Sequence, residues 1–429
     1  MHEKNLSSDS HRQIIRYNFV ANAADGALFS FAMSFVSLTT VIPLLVKRIG
    51  GSNIAIGMIP VFWTIGFNFP QISIANYAHR FPFKKTLMIR TALLQRIPWL
   101  LLSFCCFFCI GRMSVQDNLL LFFICFFMAA VGGSLNLPGW FDLIAKVTPT
   151  VLRGRLFAVR MTLGALLGIL GGWYVKHILD SVSYPNNFGI LFLIAFFIMM
   201  VSYIFLLAIR EEEPNYPSRE RHYIEFIKQL PVILKTEHNY RRFLIADASL
   251  TAALMADAFY MVHVVNKYSL SEGWAGRFTM VMMGSLIAGN FCFGFLADKF
   301  GHRVNLIIAA FSTVGACLTT LFALNVTFYA IVFVGAAFTI GLIQVSRLSM
   351  IAEVCGEKDR PTYIALTNMV TSPFILSGIL GGWVADQFGY KIVFILAGLF
   401  ALFSGLWMIL LVDEPRTKKF SVASGIVST

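Results

Sequence analysis

The chain has 429 residues, of which 57% are hydrophobic and 13% are charged, and its mean hydropathy is +0.73. A soluble core cannot bury so much apolar surface, so this composition excludes an ordinary soluble protein and indicates a membrane protein. The formal net charge of +12 does not indicate nucleic-acid binding, because the basic residues lie between apolar runs and do not cluster.

Apolar runs of about 20 residues, the length that crosses a bilayer core, recur along the whole chain. Most of the 34 Lys and Arg residues fall in alternate connecting segments, so the positive-inside rule places both termini in the cytoplasm. Short loops are typical of a bacterial inner-membrane protein. We predict twelve membrane-spanning helices, at residues 17–46, 54–78, 86–110, 119–144, 155–176, 186–209, 243–266, 273–297, 304–324, 326–350, 362–385 and 389–412.

The longest polar stretch, residues 210–242, follows the sixth predicted span. We interpret it as a cytoplasmic linker between an amino-terminal six-helix bundle, residues 1–209, and a carboxyl-terminal six-helix bundle with a cytoplasmic tail, residues 243–429. Apolar residues at helical spacing between 223 and 230 indicate either a short amphipathic helix on the inner membrane surface or a solvated tether.

The two halves of the chain resemble each other in sequence. LIAKVTPTVLRGRLFA at 143–158 aligns with MIAEVCGEKDRPTYIA at 350–365, and ILGGW occurs at both 169–173 and 379–383. The repeats predict two copies of a six-helix unit in parallel order. The glycines of the fifth span, in GALLGILGGW, predict close helix packing through small residues.

A charged loop, GFLADKFGHRV, lies between predicted spans 8 and 9. It contains a glycine, an aspartate four residues later, a basic residue, a second glycine and another basic residue: Gly294, Asp298, Lys299, Gly301 and Arg303. With the six-plus-six arrangement and the central linker, this pattern resembles the major facilitator superfamily of secondary transporters over almost the whole chain. The resemblance implies an all-α polytopic membrane protein with twelve transmembrane helices in two pseudo-symmetric six-helix bundles, which is the major facilitator fold.

The charged loop is either a conformational latch or a topology signal without a switching role. The Asp298 carboxylate is expected to accept hydrogen bonds from the unpaired amides at the amino end of span 11, near Thr362, and to interact with that helix dipole. Gly301 permits a tight turn. Glu353 is expected to pair with Lys299 or Arg303.

The corresponding loop of the amino-terminal half, NYAHRFPFKK at 76–85, has His79 in place of the aspartate. A neutral imidazole cannot supply the same carboxylate interaction, so we expect a weaker latch in this half. Asp142, near the inner end of span 4, is expected to engage Arg80 or Lys84 instead.

Ionisable side chains inside a span cost about 2.5–3.5 kcal/mol at a helix centre, so each one indicates a function or a partner. Asp25 lies about 12 Å into span 1 and Asp257 about 21 Å into span 7, at 1.5 Å per residue. The resemblance implies that spans 1, 4, 7 and 10 line the central cavity. Both carboxylates are therefore either coupling or binding groups, or members of structural ion pairs.

Other polar side chains in the spans are candidates for the same site. Arg96 is a carboxylate partner, an anion-binding group or a helix-packing residue. Snorkelling explains most of the arginines nearer the span ends, which are Arg90, Arg160, Arg277 and Arg347. Asn22 shares a helix face with Asp25, and Tyr260 shares one with Asp257. The full candidate set for substrate or proton coupling is Asp25, Asp257, Asn22, Tyr260, Arg96, Asn136, Trp140 and Gln344.

The sequence has no GxxxxGK[ST] loop, no HExxH and no GxSxG, which argues against an ATP-driven pump and a membrane enzyme. We expect a secondary active transporter that moves a small organic solute by alternating access with proton coupling. A multidrug-type efflux antiporter and a non-transporting sensor or accessory protein are the alternatives. We expect a monomer whose partners are the solute, protons and the lipid bilayer, with no cofactor, metal site or nucleic acid.

Overall fold

The computed structural model describes residues 2–78, 83–211, 233–355 and 360–415, with side chains except at 2–11, 69, 71–78, 360 and 361. All regular secondary structure in these ranges is helical. The helices are α1 (His2–Phe35), α2 (Val41–Ile49), α3 (Asn53–Ala78), α4 (Lys84–Phe104), α5 (Val115–Val147), α6 (Thr150–Ser181), α7 (Asn186–Ala208), α8 (His238–Ala253), α9 (Tyr260–Tyr268), α10 (Trp274–Phe300), α11 (His302–Phe322), α12 (Val326–Val354), α13 (Arg360–Thr371), α14 (Ser377–Phe388) and α15 (Tyr390–Leu411).

Each predicted span coincides with one described helix or with two consecutive ones. By length and composition, 10 helical segments of the described chain are apolar enough to cross a membrane, and Asn53–Asn68 is a shorter apolar helix. The first predicted span corresponds to α1 and α2. The predicted linker and amphipathic helix lie mostly outside the described residues, at 212–232.

Four spans are not the uninterrupted α-helices that their apolar length predicts. Span 1 stops at Phe35 and resumes as α2, whose first turn contains Pro43, a position where the missing amide costs nothing. Span 3 ends in a π-helical turn at Cys105–Cys109. A 3₁₀ turn at Leu254–Ala258 divides span 7, and another at Ser372–Leu376, with Pro373 in its first turn, divides span 11.

The chain forms two compact units, and the division between them does not fall at a single position in the middle of the sequence. The first comprises Met1–Gly51, Phe62–Arg221 and Ser271–Met283, and the second comprises Ser52–Val61, His222–Leu270 and Gly284–Thr429. The start of α10 thus belongs to the first unit and the start of α3 to the second. The division into bundles at residues 1–209 and 243–429 stays a prediction.

Glycines allow the start of α10 to pack closely against α6, and the start of α3 to pack closely against α14. In the first unit, a Cβ on Gly172 of α6 would lie 2.7 Å from the carbonyl oxygen of Gly276 on α10. In the second unit, a Cβ on Gly378 of α14 would lie 2.5 Å from the carbonyl oxygen of Gly57 on α3. Both distances are too short for any side chain, so the glycine-rich runs serve close helix packing as the sequence predicts.

Each unit contains the same connection between its first and sixth helices. The Asn18 side chain donates to the Arg210 carbonyl oxygen at 2.9 Å and accepts from the Arg210 amide at 2.8 Å. In the second unit, Asn239 donates to the Asp413 carbonyl oxygen at 3.0 Å and accepts from the Asp413 amide at 2.7 Å. Arg210 and Asp413 both lie two residues beyond the end of their helices, at Ala208 and Leu411.

The next residue in each half is a glutamate that caps the third helix. Glu211 accepts from the amides of Lys84 at 3.1 Å and Lys85 at 2.9 Å, at the start of α4, and from Lys146 Nζ at 2.8 Å. Glu414 accepts from the Arg303 amide, at the start of α11, at 3.3 Å. Carboxylates at helix amino ends satisfy unpaired amides and complement the helix dipole. We call this arrangement the inner clasp; it comprises Asn18, Arg210 and Glu211 in the first half and Asn239, Asp413 and Glu414 in the second. Its repetition agrees with a duplicated six-helix unit.

Candidate functional site

A buried ion pair lies within the first unit. Asp25 on α1 is 4% exposed, and its Oδ2 lies 3.4 Å from both terminal nitrogens of Arg160 on α6. Its Oδ1 accepts from Ser202 Oγ, on α7, at 2.7 Å. Three helices therefore meet at one carboxylate, which is the predicted candidate of span 1.

Neighbouring residues position the Arg160 guanidinium. Its Nη1 donates to the Asn22 carbonyl oxygen at 2.5 Å and to Asn22 Oδ1 at 3.1 Å, and its carbon lies 4.8 Å from the Trp140 ring centroid. A Cβ on Gly26 would overlap the guanidinium. Among the described residues, the buried Asn22 Nδ2 has no acceptor. The Arg160 guanidinium thus contacts three members of the predicted candidate set, Asn22, Asp25 and Trp140.

Arg96 is a packing residue in this structure. It is 2% exposed, and it donates to the carbonyl oxygens of Ala92 and Met199, both at 2.9 Å. A longer contact of 3.4 Å reaches Ser202 Oγ, and the Tyr203 ring centroid lies 5.3 Å from the guanidinium. These contacts match helix packing, and Arg96 also interacts electrostatically with the Asp25 carboxylate, so its role as a carboxylate partner stays a prediction.

A second ion pair lies within the second unit. Asp247 on α8 is buried, and its Oδ2 accepts from Arg347 Nε, on α12, at 2.8 Å. Arg347 also donates to Thr371 Oγ1 at 2.9 Å and to Asn368 Oδ1 at 3.4 Å. As in the first unit, an aspartate on the first helix of a half meets an arginine from a later helix.

The prediction that snorkelling explains Arg160 and Arg347 is wrong. Each guanidinium is directed to a buried carboxylate, and only 13% of the Arg160 side chain and 23% of the Arg347 side chain are exposed. Asp247 is one of the ionisable residues within the predicted spans, but the candidate set for substrate or proton coupling did not include it. The signal available in the sequence was an aspartate at a similar depth on the first helix of each half.

Asp257 lies in the 3₁₀ turn that divides span 7. It is half-buried, and its carboxylate has no hydrogen-bonding partner or ion pair within the described part of the chain. Tyr260 is 0% exposed, lies 3.5 Å from Cys317 Sγ through its hydroxyl and stacks on Phe394 at 5.4 Å. Of these two candidates, Asp257 is the one that is accessible, whereas Tyr260 is part of the core of the second unit.

Two further candidates occupy different environments. Asn136 on α5 is half-buried and accepts from Thr91 Oγ1 at 3.3 Å, which connects α5 to α4. Gln344 on α12 is exposed. Their roles as solute or proton contacts stay predictions.

The charged loop forms the predicted tight turn, since Gly301 has φ of +88°, a conformation that favours glycine. The structure shows contacts for several of its neighbours. Glu353 Oε1 lies 3.8 Å from His302 Nε2, whereas Arg303 donates to the carbonyl oxygens of Met408 at 3.1 Å and Ile409 at 2.7 Å. The pairing of Glu353 with Lys299 or Arg303 stays a prediction.

The remaining residues of the predicted latch are only partly described. Among the described residues, no atom lies within 4 Å of a Cβ added to Gly294. Lys299 Nζ lies 5.2 Å from the Phe300 ring centroid. Residues 356–359, which precede Thr362 and the proposed partner helix, lie outside the described residues. The latch role of Asp298 stays a prediction.

The corresponding contact of the amino-terminal half is present for one predicted pair. Lys84 Nζ lies 3.8 Å from Asp142 Oδ2. Arg80 and His79 lie outside the described residues. The sequence did not predict Glu211, whose carboxylate caps the helix that follows this loop.

Polar contacts at the opposite end of the spans were not predicted either. In the first unit, Glu272 forms an ion pair with Arg48 and accepts from Asn187 Nδ2 at 2.8 Å, and burial raises the pKa of nearby Tyr184 to about 12. In the second unit, Asp386 Oδ1 accepts from the Asn53 side chain at 2.7 Å and from the Asn53 amide at 3.2 Å. Asp386 thereby caps α3.

Comparison with known families decides the identity of the fold. The model of the Major Facilitator Superfamily matches residues 25–372 and, in a second match, residues 273–426. The chain belongs to the major facilitator superfamily. The predicted recognition and the predicted fold class, all-α and polytopic, are confirmed.

Solved structures of the superfamily resemble the chain in fold. A mutant of the nucleoside transporter NupG superimposes with a TM-score of 0.72 and 10% identity, covering 93% of this chain and 100% of that one. The D-xylose-proton symporter gives 0.67 and 14%, with coverage of 94% and 99%. A mutant of the E. coli fucose:proton symporter FucP gives 0.60 and 13%, with coverage of 92% and 98%. No curated protein matches the chain in sequence at a significant level.

The chain is therefore a multi-pass membrane protein. The members of its superfamily are transporters, which are not enzymes. Each of the two ion pairs described above lies within one unit of this transporter fold. An unpaired charge in a span is costly, so residues of this kind mark solute or ion pathways, or pair with each other.

Proposed function

We propose that the chain is a secondary active transporter that moves a small organic solute across the membrane by alternating access and couples this movement to protons. Membership in the major facilitator superfamily carries the transport assignment. The proton coupling is supported by two carboxylates inside spans, Asp25 and Asp257, which differ in their surroundings.

Asp257 is the better placed of the two to exchange a proton directly. Its carboxylate is half-buried, and no described residue stabilises its negative charge. An ionised group at a span centre costs about 2.5–3.5 kcal/mol, and protonation removes that charge. A carboxyl group in this position takes up a proton when it faces a low-dielectric environment and releases it when water reaches it.

Asp25 acts through its arginine. In the ionised form it holds Arg160, and protonation of Asp25 weakens that ion pair. Arg160 is then free to change partners, and its guanidinium, with five donors in a fixed geometry, suits carboxylate and carbonyl oxygens of a solute. We therefore assign Asp25 and Arg160 to coupling, and Asn22 and Trp140 to positioning the guanidinium.

The names of the structural neighbours favour a small, polar organic solute. Two of them are proton symporters for D-xylose and fucose, and a third is a nucleoside transporter. These are small, polar, organic molecules. The distribution of Lys and Arg along the chain supports the proposed placement of both termini in the cytoplasm of a bacterial inner membrane.

The test is counterflow in proteoliposomes that contain the purified protein, with a panel of monosaccharides and nucleosides. A transporter exchanges labelled solute across the bilayer, whereas a sensor binds solute and gives no counterflow. An imposed pH gradient should then drive net accumulation in the wild type. In Asp257→Asn and Asp25→Asn, exchange should persist while the gradient-driven accumulation is lost.

Asp117 supplies a matched control, since its carboxylate is exposed and bonded to Ser114 at the start of α5. Asp117→Asn should retain gradient-driven accumulation. The coupling assignment is wrong if all three variants accumulate solute as the wild type does, and the transport assignment is wrong if solute binds but no exchange occurs.

A further inference from the structure

An apolar groove with a volume of about 730 Å³ lies on the surface of the second unit. This volume is within the range of about 300–1,000 Å³ that is typical of ligand sites. Side chains of α8, α15 and the 3₁₀ turn between α13 and α14 form its walls, among them Leu244, Phe374, Leu399 and Phe403. Phe374 and Leu399 are largely exposed, so nothing in the described chain covers the groove.

Apart from Arg241, the wall residues offer no free hydrogen-bond donor to an occupant. The one hydroxyl among the wall residues is that of Ser249, and it donates to the Phe400 carbonyl oxygen at 2.8 Å. A polar solute would lose its hydration there without compensation, whereas an alkyl chain gains from burial against leucine and phenylalanine side chains.

One end of the groove is cationic. Arg241 lines it, is exposed, and forms within the described chain only a long hydrogen bond to the Leu234 carbonyl oxygen at 3.4 Å. No described carboxylate forms an ion pair with it. Lys235 and Arg242 are exposed close by in the sequence, and Glu237 is the acidic residue among them, but of the three basic residues only Arg241 lines the groove.

The cationic end lies at the start of α8, directly after the linker. Eight residues separate Arg241 from Ser249, which places the apolar part of the groove about 12 Å deeper along the helix axis. Basic residues at this level of a membrane protein meet the headgroups of the cytoplasmic leaflet, and about 1 kcal/mol per Lys or Arg favours anionic lipids there.

We propose that this groove is a binding site for an anionic phospholipid, with one acyl chain along the wall residues and the headgroup phosphate on Arg241. The two ends of the groove match the two ends of such a lipid. A free phosphate would not use the apolar walls, and an uncharged hydrocarbon would not use Arg241. The proposal is independent of the transported solute.

Native mass spectrometry of the delipidated protein tests the site. Phosphatidylglycerol and phosphatidylcholine with identical acyl chains are added in equal amounts, and the bound fractions are compared. The wild type should retain phosphatidylglycerol in preference. Arg241→Gln should lower that preference about fivefold, the factor for one basic residue near an anionic headgroup, whereas Arg241→Lys should retain most of it.

Arg242→Gln is the matched control, because Arg242 is an exposed neighbour on the same helix that donates to the Leu411 carbonyl oxygen and does not line the groove. It should leave the preference within twofold. Leu399→Trp, at an exposed wall position, should displace the acyl chain and lower the binding of both lipids. Equal binding of the two lipids by the wild type, an unchanged preference in Arg241→Gln, or an equal loss in Arg242→Gln would overturn the proposal.

Discussion

If Asp25 and Arg160 stabilise each other, substitutions at the two positions should change the free energy of unfolding non-additively. If the two charges are merely buried, the changes should add. Asp25→Asn removes the negative charge and leaves the Arg160 guanidinium inside the span. Removing one partner of a buried pair typically costs about 3–5 kcal/mol. Arg160 keeps its hydrogen bonds to Asn22 and is 13% exposed, so we expect a loss of about 2–3 kcal/mol for Asp25→Asn.

Arg160→Gln should cost more, because the hydrogen bond that remains to the buried carboxylate among the described residues comes from the Ser202 hydroxyl at 2.7 Å, and only the more distant Arg96 still interacts with its charge. We expect about 3–4 kcal/mol for this variant. The double variant Asp25→Asn, Arg160→Gln carries neither charge, and its side chains can bond to each other. Its loss should be smaller than that of either single variant, which gives a coupling energy of at least about 3 kcal/mol.

The free energy of unfolding of the four proteins, measured by reversible denaturation in mixed micelles, provides the double-mutant cycle. Asp117→Asn, at an exposed carboxylate, should change the stability by less than about 0.5 kcal/mol. If the losses of the two single variants simply add in the double variant, the two side chains do not stabilise each other and the reasoning is refuted.

Three further predictions concern residues that the sequence did not single out. Gly26→Ala places a methyl group in the volume of the Arg160 guanidinium, so it should destabilise the protein by about 1–3 kcal/mol through overpacking, measured as the free energy of unfolding. Glu211→Gln should weaken the cap of α4, and mass-spectrometric hydrogen exchange should accelerate at its first turn by about fivefold, equivalent to about 1 kcal/mol. Asp386→Ala should uncap α3 at a cost of about 1 kcal/mol, seen as faster exchange at the Asn53 and Ile54 amides, which donate to the Asp386 carboxylate.

Each of these predictions has its own contrary result. Gly154→Ala, where an added Cβ meets nothing within 4 Å, is the control for Gly26→Ala, and equal stability of both variants would contradict the steric argument. Faster exchange throughout the chain in Glu211→Gln would indicate general destabilisation in place of a local cap. Unchanged exchange at the start of α3 in Asp386→Ala would show that another group satisfies those amides.

The positions of the helices could be read from the sequence with few errors. A span requires about 20 apolar residues in sequence, which is a local property, so all twelve predicted spans coincide with described helices. The breaks inside spans 1, 3, 7 and 11 were not predicted. Pro43 and Pro373 are visible signals for two of them, whereas the turns at Cys105–Cys109 and Leu254–Ala258 contain no proline, so their apolar sequences read like continuous helix.

The candidate site was predicted less completely. Asp25 and Asp257 were selected because charge within a span is costly wherever it occurs. Their surroundings could not be predicted: Asp25 is paired with Arg160, whereas Asp257 has no partner among the described residues. Arg160 and Arg347 were interpreted as snorkelling side chains, because their distance from the span end is compatible with that and the sequence does not show which helix lies beside them.

The contacts of the inner clasps could not be predicted from the sequence either, because they form only in the folded protein. Asn18 and Asn239 are unremarkable in sequence, and Glu211 is one of three consecutive glutamates. Their function depends on the ends of the first, third and sixth helices of a unit lying together. The contacts at Glu272 and Asp386 are of the same kind.

By itself, the sequence determined that this chain crosses a membrane many times, that its two halves are related and that it belongs with secondary transporters, because apolar length, internal repeats and a charged turn are all written in consecutive residues. The tertiary structure decided which charges neutralise each other, which glycines are required and which carboxylate remains accessible. Those properties depend on distances between residues more than 100 positions apart, such as Asp25 and Arg160 or Asn239 and Asp413, and only the packing of the helices brings such residues into contact.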